Sequence, residues 1–219
     1  MKLFLVSFFL MIALLSSAQT NTYSAYYYQR VSLFEELPIT SDDIVFLGNS
    51  ITDGGEWHEL LADPLVKNRG ISGDITSGLL DRLDPILEGA PAKLFLLIGI
   101  NDLSRGVPVD SIILRIGLII CKIKEGSPTT KIYLQSILPV NDCYNKFTGH
   151  TSRWDSVSLI NSGLKKLAEK ERVVYIDLYS SFIEEDTGKM NPDYTNDGLH
   201  LMGPGYEKWA EIVLPYVKE

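Results

Sequence analysis

Alternation of short apolar runs with amphipathic helical patterns predicts an α/β fold, a parallel sheet covered by helices on both faces. Two observations carry this. Five strand candidates, residues 43–47, 66–68, 93–98, 131–137 and 173–178, are separated by helical segments, and right-handed crossovers between such units build a parallel sheet. The strongest of these runs, Ile44-Val45-Phe46-Leu47 and Leu94-Phe95-Leu96-Leu97-Ile98, are apolar without a break, the mark of strands buried on both faces.

The elements follow in order. Residues 1–18 stand apart: Lys2 supplies a positive start, residues 3–15 are almost wholly apolar, and Ser16-Ser17-Ala18 fits the small-residue cleavage rule. This predicts a secretory signal peptide cut after Ala18 and an exported chain, periplasmic or extracellular, with residues 19–219 forming one domain. The apolar stretch is too short for a comfortable membrane span. Residues 21–37 carry Tyr23, Tyr26, Tyr27, Val31, Phe34 and Leu37 at steps of mainly three or four, an amphipathic helix closed before Pro38 whose aromatic stripe, being helically spaced, reads as core and not as a sugar-stacking platform. Further helices are expected over 56–61, 76–87, 109–124, 154–170 and 205–217. In the third of these Ile112, Ile116, Ile119, Ile120 and Ile123 share a face, while Arg115 and Lys122 interrupt it, so the helix faces a core and not a bilayer. Between residues 138 and 152 lies a loop of about fourteen residues, long enough to suggest a functional role.

Bulk properties exclude several classes. The chain has 219 residues, 45% apolar and 22% charged, with net charge −8. That length suits one α/β domain. An acidic protein without a basic run is a poor partner for nucleic acid or an anionic membrane surface. The two cysteines, Cys121 and Cys143, lack metal-site spacing. We expect no bridge between them, with Cys121 acting as a small buried hydrophobe.

Chemistry concentrates where strands end. The first strand delivers Gly48-Asn49-Ser50, the second Asn68-Arg69-Gly70-Ile71-Ser72-Gly73-Asp74, the third Gly99-Ile100-Asn101-Asp102. In an open parallel sheet these ends share one edge, where ligands bind. A serine there can be a helix cap, or a nucleophile if a base takes its proton. Of the three histidines, His58 belongs to a helix and His150 to the long loop, whereas His200 follows Asp197 by three residues on a glycine-punctuated segment. One tight turn brings the Asp197 carboxylate against the imidazole and leaves the other nitrogen for a serine. Ser50 N–H, Gly73 N–H and the Asn101 amide are candidate oxyanion donors. A metal site from Asp193, Asp197 and His200 is the weaker reading, because no second histidine is near.

Together, Gly48-Asn49-Ser50-Ile51-Thr52, the 68–74 block, Gly99-Ile100-Asn101-Asp102 and Asp197-Gly198-Leu199-His200 resemble the four blocks of the SGNH hydrolases, or GDSL esterases. The resemblance implies a three-layer α/β/α sandwich with a flavodoxin-like parallel sheet of about five strands. It implies a carboxylic ester hydrolase without a cofactor or metal, with Ser50 as nucleophile, His200 as base and then acid, and Asp197 orienting it. Ser50, Gly73 and Asn101 would form the oxyanion hole. One departure stands out: Asn49 replaces the family's aspartate, keeping an acceptor but losing the charge. The absence of Gly-x-Ser-x-Gly, with Thr52 in the last position, argues against the α/β-hydrolase fold.

The 68–74 block and the 199–206 tail look most like the branch holding platelet-activating-factor acetylhydrolase catalytic subunits and bacterial carbohydrate O-acetylesterases. That implies a short acyl group, acetyl, on a small-molecule or glycan ester. Export and the aromatic residues expected to be exposed, Trp57, Tyr144, Phe147 and Trp154, favour a carbohydrate carrier, and these four with His150 are the expected substrate contacts. The alternatives are a lysophospholipase or thioesterase, and a non-catalytic glycan-binding module. Oligomeric state is left open.

Overall fold

The computed structural model describes residues 22–219; the expected leader and its cleavage point lie outside the described residues. Five strands, β1 Ile44–Gly48, β2 Val66–Gly70, β3 Lys93–Leu97, β4 Lys131–Gln135 and β5 Val174–Ile176, form one sheet in the order β2-β1-β3-β4-β5. All four pairings are parallel, so the expected flavodoxin-like sheet is present. The helices are α1 Ala25–Glu35, α2 Ser50–Asp53, α3 Trp57–Leu60, α4 Thr76–Asp81, α5 Asp84–Glu88, α6 Ile100–Ser104, α7 Val109–Gly126, α8 Thr148–Thr151, α9 Trp154–Glu171, α10 Tyr179–Phe182 and α11 Gly203–Lys218.

Each face of the sheet has its own chemistry. Phe46, Phe95 and Tyr133 occupy paired register positions on β1, β3 and β4. Their rings stack with centroids 4.6 and 4.4 Å apart. Trp57 of α3 continues the stack 4.4 Å from Phe46, and Trp209 of α11 meets Trp57 edge-on at 4.6 Å. On the opposite face the five isoleucines of α7 are fully buried as predicted, and α9 packs beside them with Val157, Ile160 and Leu164. Each such side chain contributes about 1.5–3 kcal/mol by leaving water.

Several boundaries move for local reasons. The helix expected over 76–87 is two helices, because Pro85 sits in the first turn of α5 and cannot extend α4. Between them Arg82 turns inward and is buried. Helix α1 starts where Ser24 accepts the Tyr27 N–H at 3.1 Å and ends at Glu35, short of Pro38. Its stripe is only partly buried: Tyr27 and Phe34 are inside, while Tyr26 and Leu37 are exposed. The 138–152 loop contains a 3₁₀ turn, Asp142–Tyr144, and α8. Cys121 and Cys143 are free thiols, and Cys121 is half-buried and not buried as expected, since it lies on the outer side of α7.

Candidate active site

Strand order reverses between β1 and β3, and the crevice beside that reversal is the usual ligand site of such sheets. Ser50, Gly73 and Asn101 follow β1, β2 and β3 and therefore share that edge. At the end of β1, Gly48 has no room for a side chain: a Cβ would collide with the Leu97 carbonyl and Thr52 Oγ1. The chain then turns at once into α2, capped by Asn49, whose Oδ1 accepts the Ile51 N–H at 3.0 Å. Asparagine thus performs the capping task that needs only an acceptor. Its Nδ2, buried, has no protein partner, and neither has the Thr52 hydroxyl.

Ser50 is the first residue of α2, and the carbonyls at the helix's open end are all held. Tyr206 Oη donates to Ile51 O at 3.0 Å, Trp57 Nε1 to Thr52 O at 2.8 Å, and Asn68 Nδ2 to Thr52, Asp53 and Gly55 carbonyls at 2.9–3.0 Å. Three side chains from three elements therefore fix the short helix that presents the serine.

Ser50 Oγ lies 3.1 Å from His200 Nε2, and His200 Nδ1 lies 2.8 Å from Asp197 Oδ2. Asp197 Oδ1 accepts the N–H groups of Leu199 and His200, both at 2.8 Å. The turn depends on Gly198, whose φ is +84° and whose Cβ position is occupied by Asn141 O. Thr195 Oγ1 accepts the Gly198 N–H at 2.9 Å, and Tyr144 Oη donates to Thr195 O at 3.0 Å. Burial pushes the Asp197 carboxyl up, but the bonds from His200 and from the Leu199 and His200 N–H groups overcome it and hold it below its ordinary value. The carboxylate therefore stays charged and keeps the proton on Nδ1, leaving the Nε2 lone pair toward Ser50. Both Asp197 oxygens are engaged this way; among the described residues no group of three His, Cys, Asp or Glu could hold a metal ion.

The opposite wall is the loop after β2. Gly73 adopts φ +79°, with open space where a side chain would stand. Asn101 enters through Gly99, at φ +126°, and donates Nδ2 to Asp74 O at 2.8 Å. That bond fixes which end of the amide is nitrogen and leaves its second hydrogen for a ligand. Arg82, unremarked in the sequence, holds this wall to the sheet. Its Nε bonds Asp74 Oδ2 at 2.8 Å, Nη1 bonds Arg69 O at 2.9 Å and Nη2 bonds Gly48 O at 3.0 Å. Asp102, also fully buried, accepts from Thr76 N–H and Oγ1 at 3.0 and 2.6 Å and ties α6 to α4.

The predicted substrate contacts divide. Phe147 is exposed, with its ring edge-on to His200 at 5.0 Å, and His150 Nε2 lies 2.9 Å from Asn101 Oδ1. Phe147 thus stands against His200, and His150 against Asn101. Trp57, expected as an exposed aromatic, is 0% exposed and stacked on Phe46 in the core. Tyr144 braces the histidine turn through its hydroxyl. Trp154 is half-buried and packs against the core, with Lys189 Nζ 5.1 Å over its ring. A cavity that sequence reasoning missed, about 520 Å³, opens beside Gly73 and is lined by Tyr23, Tyr26, Tyr27, Ser72 and Arg105. The aromatic spacing of α1 was its available signal, and only Tyr27 among the three is buried in the core.

The family model for GDSL-like lipases and acylhydrolases matches residues 46–208. Among solved structures, one from Streptococcus pneumonia described as a platelet activating factor is 29% identical, covering 88% of this chain and 92% of its own, with TM-score 0.80. A GDSL-like lipase from Bacteroides thetaiotaomicron is 22% identical, covering 87% and 97%, with TM-score 0.76. An acetylxylan esterase from Geobacillus stearothermophilus is 18% identical, covering 82% and 95%, with TM-score 0.66. A search of curated proteins finds no match.

Proposed function

The chain belongs to the GDSL-like lipase/acylhydrolase family, part of the SGNH hydrolases and a family of carboxylic ester hydrolases, and from that premise we propose that it removes acetyl groups from a carbohydrate through an acyl-enzyme on Ser50. The observation that carries the mechanism is the continuous hydrogen-bonded line Ser50 Oγ, His200, Asp197, at 3.1 and 2.8 Å.

Ser50 Oγ attacks the ester carbonyl carbon as His200 Nε2 takes its proton. The carbonyl π electrons move to oxygen, and the resulting anion is met by the N–H groups of Ser50 and Gly73 and by Asn101 Nδ2. Collapse expels the sugar alkoxide, which leaves as an alcohol with the proton from His200. Water, deprotonated by the same imidazole, then attacks the acetyl-serine. A second collapse releases acetate and restores the serine. Asp197 stabilises the imidazolium in both halves without accepting its proton.

Support for a carbohydrate carrier comes from the cavity beside Gly73. Tyr26 Oη donates to Asp53 Oδ2 at 2.9 Å and Tyr23 Oη to Asp81 Oδ2 at 2.6 Å. Their hydroxyls are thereby engaged, and the rings with the Arg105 guanidinium suit the mixed apolar and polar faces of a sugar. The fold likeness to an acetylxylan esterase agrees with this reading. Among the described residues no helix is long and apolar enough to cross a membrane; export by the residue 1–18 leader, cut after Ala18, belongs to the same proposal.

Acetate release from acetylated xylan and other O-acetylated sugars, measured beside p-nitrophenyl esters of two to twelve carbons, tests it. Turnover of acetylated sugars with steep loss beyond short acyl chains is expected. Preference for long chains or lysophospholipid would replace this substrate with a lipid.

A further inference from the structure

The Asp74 carbonyl dictates that Asn101 presents Oδ1 to His150, because a carbonyl accepts and only Nδ2 can donate to it. An amide oxygen is likewise only an acceptor. The nitrogen 2.9 Å from it, His150 Nε2, must therefore carry a hydrogen. His150 is thus held in the tautomer opposite to His200, whose proton sits on Nδ1 against Asp197. Two imidazoles share one site, one prepared to accept a proton and the other to donate a hydrogen bond.

We infer that His150 is a positioning residue for the oxyanion hole, acting through Asn101. The proposal rests on the reading of Asn101 as an oxyanion donor. A hydrogen bond into Oδ1 draws electron density through the amide and makes the free Nδ2–H a stronger donor, as chained hydrogen bonds do. It also fixes the side chain's rotation, so the hydrogen stays aimed at the developing charge and is not reoriented during reaction.

Loop architecture supports this. His150 lies in α8, a single turn entered through Phe147 at φ +47°. The Phe147 ring stands edge-on to both histidines, 6.1 Å from His150 and 5.0 Å from His200. The loop is anchored at its start by Asn141, whose N–H donates to Gly198 O at 2.8 Å and whose Nδ2 donates to Met190 O at 2.7 Å. One loop therefore sets both the turn that carries His200 and the bond that aims Asn101. Burial first, and then electrostatic repulsion from neighbouring His200 and Arg105, holds His150 below its ordinary pKa. A neutral donor serves here, since a second cation would oppose the imidazolium that His200 becomes.

The test is a double-mutant cycle in p-nitrophenyl acetate hydrolysis. Asn101→Ala should lower kcat by roughly 10²–10³-fold. His150→Ala should lower kcat by about tenfold, the worth of one neutral hydrogen bond, with KM unchanged. In the Asn101→Ala background, His150→Ala should cause no further loss, whereas with Asn101 in place His150→Gln, which restores an N–H, should keep most of the wild-type activity. His150→Phe keeps ring volume without a donor and should match His150→Ala, whereas near-wild-type turnover in it would trace the loss to the loop's packing and overturn the inference. Fully additive losses, or a change confined to KM, would overturn the inference while leaving the oxyanion assignment intact. Wild-type kcat in Asn101→Ala would remove that assignment and the inference together.

Discussion

Arg82 and Asp74 meet at 2.8 Å with side chains 2% and 0% exposed, and through this pair the loop bearing Gly73 is fastened to the strand that leads to Ser50. The remaining guanidinium nitrogens hold the carbonyls of Arg69 and Gly48. Removing one partner of a buried pair strands the other charge without solvent. Arg82→Met should therefore cost about 3–5 kcal/mol in urea denaturation, with activity lost in parallel. Unchanged stability would mean that Asp74 finds another partner.

Asp197 orients His200 and keeps its proton on Nδ1. Asp197→Asn preserves shape but presents a donor where an acceptor is needed, and kcat should fall by about 10⁴-fold with little change in KM. The same residue predicts a pH effect on stability. Its folded pKa lies below the ordinary 3.8, so its contribution is full above that value and is lost as pH falls through the depressed one. Thermal unfolding of Asp197→Asn should consequently depend less on pH below about 4 than that of the wild type.

His150 moves stability in a higher window. Its folded pKa is lowered from 6.5, so the unfolded chain takes up the proton first and stability declines as pH drops below that value. Replacement by glutamine should flatten the Tm profile between about pH 7 and 5. An unaltered profile would show that protonation of His150 is not resisted by the fold.

Trp57 separates core from site. Trp57→Phe loses the bond to Thr52 O and part of the stack on Phe46, and should cost about 1–3 kcal/mol. KM for an acetylated sugar should stay as it was, because the ring faces the sheet.

The sheet was legible because each strand is a local run bounded by turn residues, and Ser50, Gly73 and Asn101 follow the first three strands in order, with Asp197 and His200 just before the last helix. Long-range packing was less so. Trp57 is buried by pairing with Phe46 and Trp209, partners that no spacing near residue 57 announces. Arg82 drew no notice within the helix expected over 76–87; Pro85 divides that helix, and the guanidinium is buried against Asp74, Arg69 O and Gly48 O. Tyr23 and Tyr26 belonged to a stripe read as core, yet Tyr26 is 41% exposed and lines the cavity beside Gly73, because α1 buries only Tyr27 and Phe34. His150 was expected only as a substrate contact on the long loop; its bond to Asn101 spans 49 residues of sequence and required the fold. Asn49 was identified as a departure that keeps its acceptor, and its Oδ1 indeed caps α2.

The central claim is that Ser50 is the nucleophile, and p-nitrophenyl acetate hydrolysis by Ser50→Ala measures it most directly. With folding verified by thermal unfolding, kcat should fall by about 10⁴–10⁶-fold, with no burst of p-nitrophenol. Wild-type turnover in Ser50→Ala would contradict the account.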